Sequence, residues 1–347
     1  MNELSSTTVG ASARGYAGLA TLPAPKAQLA RRRLLAGAAL TPAEFSTRGL
    51  DLSADEATWL KKWCDAGLES SLHWRETSAD GTHRLVLSLA PGDRAETVVM
   101  PNRSACVSTQ VGCAVGCRFC ASGAQGLARN LEAGEIVEQV VWARRQARVD
   151  RVVFMGMGEP THNLPGVLPA IDTLRHDGLI SPRKLTLSTV GSVRALERLR
   201  RAPALPCLAL SLHTADPNLR AELLPGAPRE SLADLVEAAD AYARVCGTPV
   251  QFQCTLLHGV NDRDEDADAL CDLLEGTRGY VNLIPWNAVD GAPFARPPRD
   301  RIVAMVRRIK ARGILATIRD SAGADVAAAC GQLAVARPAR RAAQPGR

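Results

Sequence analysis

Three cysteines lie close together in the stretch CAVGCRFC, at positions 113, 117 and 120. The first thirty residues lack the apolar core of a secretory signal, so we expect the reducing cytoplasm, where clustered cysteines bind metal more often than they form disulfides. Structural zinc takes four ligands, usually as two separated pairs, and the sequence has no second closely spaced pair. A four-iron cluster on three thiolates leaves one iron open to a substrate. An iron–sulfur cluster is therefore predicted, with zinc or simply buried thiols as alternatives.

Composition and charge narrow the class of protein. Of the 347 residues, 46% are hydrophobic and 22% are charged, as in ordinary globular proteins. The longest apolar stretch, LLAGAAL at 34–40, is too short to cross a membrane. The formal net charge is +6, and basic residues gather at 31–33, 306–313 and 336–347. Such clusters suit a polyanion such as RNA, although solvated surface is an equal alternative for each cluster.

The amino-terminal part of the chain predicts a small accessory domain. Residues 1–24 are expected to form a disordered leader. Residues 25–100 combine short helices with two hairpins, which turn at Asp80-Gly81 and Pro91-Gly92. At the other end, residues 335–347 form a basic tail. We therefore expect an α+β accessory domain at 25–100, ahead of a larger unit at 101–334.

From about residue 104, short apolar runs alternate with amphipathic stretches. The predicted strands are ACVSTQ, RVVFMGM, KLTLST, CLALSLH, PVQFQCTLL and YVNLIPW. Helical patterns separate them, and such alternation predicts a parallel α/β sheet. We expect an incomplete (β/α)6 barrel whose chemistry lies at the carboxyl ends of the strands.

The stretch GMGEP, residues 156–160, ends the second predicted strand. Glycine allows a ligand to approach the backbone closely, and the carboxylate of Glu159 can accept hydrogen bonds from an ammonium group. A tight turn before a helix is the alternative. Its position, one unit after the cysteine loop, favours a binding site.

These features together resemble the radical S-adenosylmethionine (SAM) superfamily. Longer stretches between residues 94 and 334 closely resemble the RlmN/Cfr family of radical-SAM RNA methyltransferases: CVSTQVGCAVGCRFCASGAQGLARNL, VVFMGMGEP, LTLSTVG, LALSLHT, VNLIPWN and AACGQLA. The resemblance implies a radical-SAM barrel, a [4Fe–4S] cluster and SAM as a second cofactor. Cys113, Cys117 and Cys120 would bind the cluster, whose open iron would hold SAM.

The same resemblance implies the SAM contacts. The matching positions are Gly158, Glu159, Ser188, Ser211, Leu212, His213 and Asn287. Hydroxyl, imidazole and amide groups suit the ribose and adenine edges of the cofactor. His213 could instead be a satisfied histidine of the core, although the surrounding SLH match argues against that.

Two further cysteines and one carboxylate match catalytic positions of the family. The resemblance implies that Cys330 takes a methyl group from one SAM and carries it to the base, and that Cys106 releases the product through a transient disulfide. Glu96 matches the proposed proton acceptor. Each cysteine alone could be a buried small hydrophobe, and Glu96 could be a solvated charge on a strand.

The implied function is methylation of an adenine ring carbon, C2 in preference to C8, in ribosomal RNA and in some relatives transfer RNA. An electron donor such as flavodoxin or ferredoxin would be needed, and we expect a cytoplasmic monomer without a membrane anchor. The region before residue 90 departs from the family, which leaves the RNA target open. The alternatives are a radical-SAM enzyme with another substrate, which would not need Cys106 and Cys330, and a zinc-stabilised RNA-binding module.

Overall fold

One mixed sheet of ten strands organises the chain in the computed structural model, which describes residues 18–38, 40–89 and 92–334. The strand order is β1-β2-β3-β4-β7-β8-β9-β10-β11-β12. Two short strands, β5 and β6, form a separate antiparallel ribbon. The strands are β1 (Ser71–Thr77), β2 (His83–Ser88), β3 (Arg94–Met100), β4 (Ser104–Cys106), β5 (Gln110–Gly112), β6 (Leu127–Asn130), β7 (Arg151–Phe154), β8 (Leu185–Thr189), β9 (Cys207–Ser211), β10 (Val250–Leu256), β11 (Gly279–Pro285) and β12 (Ala316–Ile318).

Strands β4 and β7 to β12 run parallel, and helices connect them. Burial on both faces explains why these strands read as apolar runs. The helices are Ala24–Leu35, Pro42–Ser46, Ala54–Ala66, Ala121–Ala124, Ala133–Gln146, Leu164–His176, Val193–Arg200, Pro217–Leu223, Leu232–Cys246, Asp264–Leu274 and Arg299–Ala311, with 3₁₀ turns at Leu19–Thr21, Pro160–Asn163, Pro182–Lys184 and Ala324–Val326. The predicted α/β barrel class is confirmed.

The sheet has seven parallel strands, where the sequence patterns predicted six. The additional strand, β12, pairs with β11 through Ala316, Thr317 and Ile318. Three residues are too few to show a periodic or apolar pattern, which is why the sequence did not reveal this strand. It matters for the site because Cys330 lies shortly after it in the chain.

The amino-terminal strands continue the barrel sheet. Strands β1, β2 and β3 pair antiparallel in sequence order, and β3 pairs with β4 through Val98 opposite Cys106. The predicted turn at Asp80-Gly81 is present, with Gly81 at φ 85°. The buried side chains of Ala95 and Val99 belong to the same apolar core as the barrel. The hairpins expected for an accessory domain are therefore built into the sheet that carries the site.

The described part of the predicted leader also belongs to this core. Leu19 and Leu22 are buried there, in contrast to the disorder predicted for residues 1–24. The rest of that leader, residues 1–17, and the predicted tail at 335–347 lie outside the described residues. Within the described ranges, no helix has the length and apolar character that a bilayer crossing requires.

Candidate active site

A cavity of about 810 Å³ runs along the inner face of the parallel strands. At their carboxyl ends it is lined by the predicted site residues Cys106, Cys113, Cys117, Cys120, Gly158, Glu159, Ser188, Ser211, His213, Asn287 and Cys330. Residues at the amino ends of the strands, among them Arg151, Lys184 and Cys207, line the opposite end. Two predicted site residues, Glu96 and Leu212, do not line the cavity. The structure thus brings together all five cysteines to which a catalytic or ligand role was assigned.

The loop carrying Cys113, Cys117 and Cys120 follows strand β5 and is packed tightly. The amide of Cys113 donates to the carbonyl of Gly126 (2.8 Å), and that of Cys120 donates to Cys117 (3.1 Å). A Cβ atom at Gly123 would lie 2.8 Å from the Cys117 nitrogen, so only glycine fits there. The backbone alone therefore fixes much of the loop.

An apolar shell surrounds the three thiols. Val115, Phe119 and Trp286 are buried in a small cluster with Cys113, and the Trp286 indole donates to the Phe119 carbonyl (3.0 Å). Burial raises the pKa of Cys113 to about 11, and it raises the pKa values of Cys117 and Cys120 as well. Without a bound cation these groups would remain protonated thiols.

The three thiols suit an iron–sulfur cluster. Thiolates are the ligands that such clusters take, and iron supplies the positive charge that offsets the burial of the thiolates. The described residues contain no group of three His, Cys, Asp or Glu side chains arranged around one metal ion. A four-iron cluster does not require such a group, because each thiolate binds a different iron. The three side chains that would hold the cluster are thus Cys113, Cys117 and Cys120.

The GMGEP stretch follows β7 and packs directly against the chain at Val107 and Gln110. A Cβ atom at Gly156 would lie 2.7 Å from the carbonyl of Val107, and one at Gly158 would lie 2.5 Å from the Gln110 side chain. Gly158 also has φ 98°, which L-residues with side chains avoid. Both glycines are therefore required for the close approach at this strand end.

Glu159 organises the loops around it. Its carboxylate accepts hydrogen bonds from the amides of Thr161 (2.9 Å) and Val190 (2.9 Å) and from the hydroxyls of Thr161 (2.7 Å) and Thr189 (2.5 Å). Three of these bonds end on Oε1 and one on Oε2, so Oε2 keeps an acceptor site for a further donor. Glu159 thereby joins the ends of β7 and β8, and its contact with the SAM amino group stays a prediction.

Ser188, Ser211 and His213 line one wall of the cavity. The two serine hydroxyls lie 3.3 Å apart on neighbouring strands. His213 is buried with φ 67°, and its Nδ1 accepts from the Thr255 amide (3.1 Å), which places the ring proton on Nε2. Burial, aided by the Arg220 charge, lowers the pKa of His213 to about 3. His213 is thus a neutral hydrogen-bond donor facing the cavity.

Leu212 differs from its neighbours in the SLH stretch. Its side chain is fully buried in the main core. Its amide donates to Leu210 and Gln253, and its carbonyl accepts from Arg220 Nε (3.3 Å). The side chain and both backbone groups are therefore already engaged by other protein groups. Leu212 does not line the cavity, so the structure shows no surface of this residue for the expected SAM contact.

Asn287 connects the barrel to the segment that carries Cys330. Its Nδ2 donates to the Cys330 carbonyl (3.0 Å) and to the Ser321 hydroxyl (2.9 Å). The Cys330 residue is exposed, whereas Cys106, at the end of β4, is half-buried. Burial raises the pKa of the Cys106 thiol to about 12; the nearby Cys330 thiol adds to the rise, and Arg319 opposes it. Cys106 and Cys330 are therefore electrostatic neighbours in one cavity.

Glu96 lies behind the cavity wall. Its side chain is fully buried, and both carboxylate oxygens accept from Arg84, at 2.8 Å from Nε and 2.9 Å from Nη2. Burial raises the pKa of Glu96, and Arg84 opposes that rise. The alternative of a solvated charge on a strand is wrong, because the side chain is fully buried and paired with Arg84.

Several lining residues were not anticipated from the sequence. Gln251, Gln253 and Thr255 face the cavity from β10, and the buried Oε1 of Gln253 has no hydrogen-bond partner among the described residues. Such an orphaned acceptor suits a hydroxyl or amino group of a ligand. The alternation of polar residues in VQFQCTL was the signal that could have located them, because in-facing side chains recur with a period of two.

Comparison with known proteins identifies the chain's relatives. A family model described as the radical SAM superfamily matches residues 107–271. Two proteins named probable RNA methyltransferase are similar: that of Leptothrix cholodnii is 52% identical over 254 residues, 73% of each chain. That of Chromobacterium violaceum is 50% identical over 262 residues, 76% of this chain and 74% of the relative.

A solved structure is similar over nearly the whole fold. It is a radical SAM methyltransferase from Sphaerobacter thermophilus, 37% identical, with a TM-score of 0.82 over 91% of this chain and 95% of that one. Sequence and structure thus agree on the same group of enzymes. The chain belongs to the radical SAM methyltransferases, whose cofactors are a [4Fe–4S] cluster and SAM.

Proposed function

We propose that this enzyme methylates an adenine ring carbon of RNA in the manner of the RlmN/Cfr family, with C2 as the favoured position and C8 as the alternative. The observation that carries the proposal is the position of Cys106 and Cys330, which line the same cavity as the three cluster cysteines. A radical SAM enzyme without a cysteine methyl carrier has no use for this second pair. The names of the curated relatives support RNA as the substrate.

The cluster and SAM, when bound, supply an activated methyl group and a hydrogen-abstracting radical. The remaining steps belong to side chains of this protein. The exposed Cys330 accepts the methyl group on its sulfur by displacement and presents it to the base. After the carbon of that group has bonded to the adenine, Cys106 attacks the Cys330 sulfur. The S–S bond forms as the bond from sulfur to that carbon breaks, and external reduction restores both thiols.

A proton must leave the ring carbon during this sequence, and Glu96 is the predicted acceptor. Its bidentate bond to Arg84 would have to open before the carboxylate could reach a base in the cavity. Glu96→Gln therefore tests the assignment. A covalent protein–RNA adduct that accumulates in this variant would support proton abstraction by Glu96, and normal turnover would exclude it.

The amino-end opening of the cavity supports entry of a polyanion. Arg151, Arg183 and Lys184 line it, and none of them forms an ion pair with another described residue. These three residues are called the basic rim below. Their charges are available to RNA phosphates, which dominate the affinity for nucleic acids. An unstacked nucleotide of a loop or bulge could then reach the reactive end of the cavity.

The surface clusters noted in the sequence are less suited to RNA. Arg31 and Arg33 pair with Asp177 and Glu44. Arg308 and Arg312 likewise bind acidic residues of the helix Asp264–Leu274. For the two described clusters, at 31–33 and 306–313, a solvated face laced with ion pairs is thus the better interpretation.

Product analysis tests the proposed function. The reconstituted enzyme, an electron donor such as flavodoxin or ferredoxin, and SAM are incubated without oxygen with ribosomal RNA or transfer RNA, and the RNA is digested to nucleosides. We expect 2-methyladenosine, and 8-methyladenosine would establish the alternative. Cys330→Ala should form no product, and Cys106→Ala should retain RNA as a covalent adduct. Cys207→Ala, which removes a thiol at the other end of the cavity, should behave as wild type. Product formation by Cys330→Ala would refute the mechanism.

A further inference from the structure

The segment that carries Cys330 has little regular structure of its own. We define residues 321–334 as the carrier segment. It contains one 3₁₀ turn, Ala324–Val326, and three residues with positive φ: Gly323 (71°), Ala327 (51°) and Gly331 (85°). No strand or long helix holds it in register. The position of the Cys330 sulfur must therefore be set by contacts with other parts of the protein.

The β1–β2 hairpin binds the beginning of this segment. The Asp80 carboxylate accepts from the Gly323 amide (2.9 Å), and Asp325 accepts from the Ala79 amide (3.1 Å) and from the Ser78 hydroxyl. Hydrogen bonds from Thr82 and from the Gly323 amide lower the pKa of Asp80 to about 2. The hairpin therefore reaches across the sheet edge to the segment.

Arg84, on β2 of the same hairpin, binds the segment on both sides of Cys330. Its Nη1 donates to the Val326 carbonyl (3.0 Å), and its Nη2 donates to the Ala334 carbonyl (3.3 Å). The remaining side of the guanidinium is bound by Glu96. Arg84 and Glu96 are both buried. One planar group thus links the carboxylate on β3 to two carbonyls that flank Cys330.

The barrel holds the segment from the opposite side. Besides Asn287, which binds the Cys330 carbonyl, the Ala121 amide donates to the Gly331 carbonyl (2.8 Å), and the Ser122 hydroxyl donates to Leu333. Ala121 and Ser122 directly follow the cluster cysteine Cys120. The segment is therefore clamped between the cluster loop and the amino-terminal hairpin, with Cys330 between them.

The contacts of Arg84 with the carrier segment are the most costly ones to lose. A buried guanidinium must have its donors satisfied, and if the segment withdrew, two carbonyl partners of a buried charge would be lost. Glu96 fixes the plane of the guanidinium, so the two carbonyls are bound at a defined separation. Lysine carries the same charge but has no planar fork that could reach all three partners.

We propose that Arg84, oriented by Glu96, is a positioning residue that fixes the carrier segment and so sets the reach of the Cys330 sulfur into the cavity. This proposal rests on the proposed function, in which the Cys330 sulfur must approach both SAM and the RNA base. It gives the amino-terminal hairpins a role in catalysis through Cys330. It also assigns Glu96 a structural partner that is independent of any proton transfer.

Two measurements on the holoenzyme test this proposal with Arg84→Lys. In hydrogen–deuterium exchange, the amides of residues 323–334 should exchange at least ten-fold faster than in wild type. In turnover, the amount of 5′-deoxyadenosine formed per methylated RNA should rise at least ten-fold, because SAM is cleaved while the methyl group is misplaced. Wild-type exchange together with a wild-type ratio would overturn the proposal.

Arg144→Lys is the matched control. Arg144 is a half-buried arginine that likewise donates to backbone carbonyls, those of Leu35, Val149 and Gly178, none of which belongs to the segment. Arg144→Lys should leave both measurements unchanged. An equal effect in this variant would show that Arg84 contributes only to the general stability of the fold, and it would overturn the proposal. If Arg84→Lys does not fold, Glu96→Gln decides by exchange alone, because it breaks the bidentate pair that orients Arg84: faster exchange confined to 323–334 supports the proposal, and unchanged exchange overturns it. If the wild type methylates no RNA, the proposed function fails, and the exchange data still decide the role of Arg84.

Discussion

The cysteine loop and the carrier segment meet in one cavity, but close packing contributes more to the first and hydrogen bonds contribute more to the second. Close packing of glycine backbone, an apolar shell and backbone hydrogen bonds fix the cysteine loop, and some partners, such as Trp286 and Gly226, are distant in sequence. The carrier segment buries three small or branched apolar side chains, Val326, Ala328 and Leu333, but most of its fixed contacts are hydrogen bonds, some from residues as far as 250 positions away in sequence. Dense packing suits ligands that stay in place, whereas a segment held by hydrogen bonds can be released at lower cost. This difference suits the proposed roles: the cluster stays in one place, whereas the segment that carries Cys330 must bring its sulfur to SAM and then to the RNA base.

The largest expected effect is at the cysteine loop. Cys117→Ser should remove the cluster, because a serine hydroxyl is a poor replacement for a thiolate ligand on iron. Iron and acid-labile sulfide should fall to background, and SAM cleavage should stop. Cys207→Ala is the control and should retain full iron. A retained four-iron cluster in Cys117→Ser would contradict the ligand assignment.

Overpacking of the loop should have the next largest effect. A Cβ atom at Gly226 would lie 2.4 Å from the Ala114 carbonyl and 2.8 Å from Val115. Gly226→Ala should destabilise the protein by ~1–3 kcal/mol, as overpacking of dense regions commonly does. Chemical denaturation measures the change, and iron content should fall with it. Gly134→Ala, at a position with no atom within 4 Å of the added methyl group, should change stability little. Equal stability of Gly226→Ala and wild type would show that the loop is not held by close packing.

A polar contact of the carrier segment should be worth less. Asn287→Ala removes the hydrogen bonds to the Cys330 carbonyl and to the Ser321 hydroxyl, each worth about 1 kcal/mol, so the combined loss is roughly five- to thirty-fold. We expect the rate of Cys330 methylation to fall by that factor, as followed by peptide mass spectrometry over time, while iron content is unchanged. Asn282→Ala, on the same side of the barrel but bonded to Gln251 and Thr317, is the comparison variant. Loss of iron in Asn287→Ala would show that the segment and the loop are not separable.

The sequence predicted the cysteine loop better than the contacts of the carrier segment, because the ligands of the loop are close together in sequence and the partners of the segment are not. Cys113, Cys117 and Cys120 act through local spacing, which a linear pattern records. Arg84 is separated from Val326 by 242 positions, and nothing in its neighbourhood marks it as a partner of Cys330. Glu96 was selected by resemblance alone, and its burial beside Arg84 emerged only from the pairing of β2 with β3.

The basic residues also show that sequence alone does not identify tertiary partners. Consecutive arginines at 31–33 are conspicuous in the sequence, yet the fold pairs Arg31 and Arg33 with acidic residues. The basic rim combines the first residue of β7, Arg151, with two residues of the 3₁₀ turn that precedes β8, Arg183 and Lys184. The number of basic residues was therefore known in advance, but which of them remain unpaired was determined by the tertiary structure.

The smallest effect is expected at the basic rim. Arg151→Ala combined with Lys184→Ala should weaken RNA binding about three- to ten-fold and flatten its salt dependence, because two phosphate contacts are lost. Binding titrations at several salt concentrations measure both quantities, and iron content and Cys330 methylation should stay at wild-type values. Arg307→Ala with Lys310→Ala, on the helix Arg299–Ala311, removes the same charge elsewhere. A larger loss of affinity in that control would place RNA on the helix surface.

The methyl-carrier role of Cys330 is the central claim, and peptide mass spectrometry tests it most directly. The protein is expressed with iron, purified without oxygen and digested, and the peptide containing Cys330 is sequenced by fragmentation. We predict an added methyl group on the Cys330 sulfur and none on Cys207. An unmodified Cys330 in protein that holds its iron–sulfur cluster would contradict the account and indicate a radical enzyme that works without a cysteine carrier.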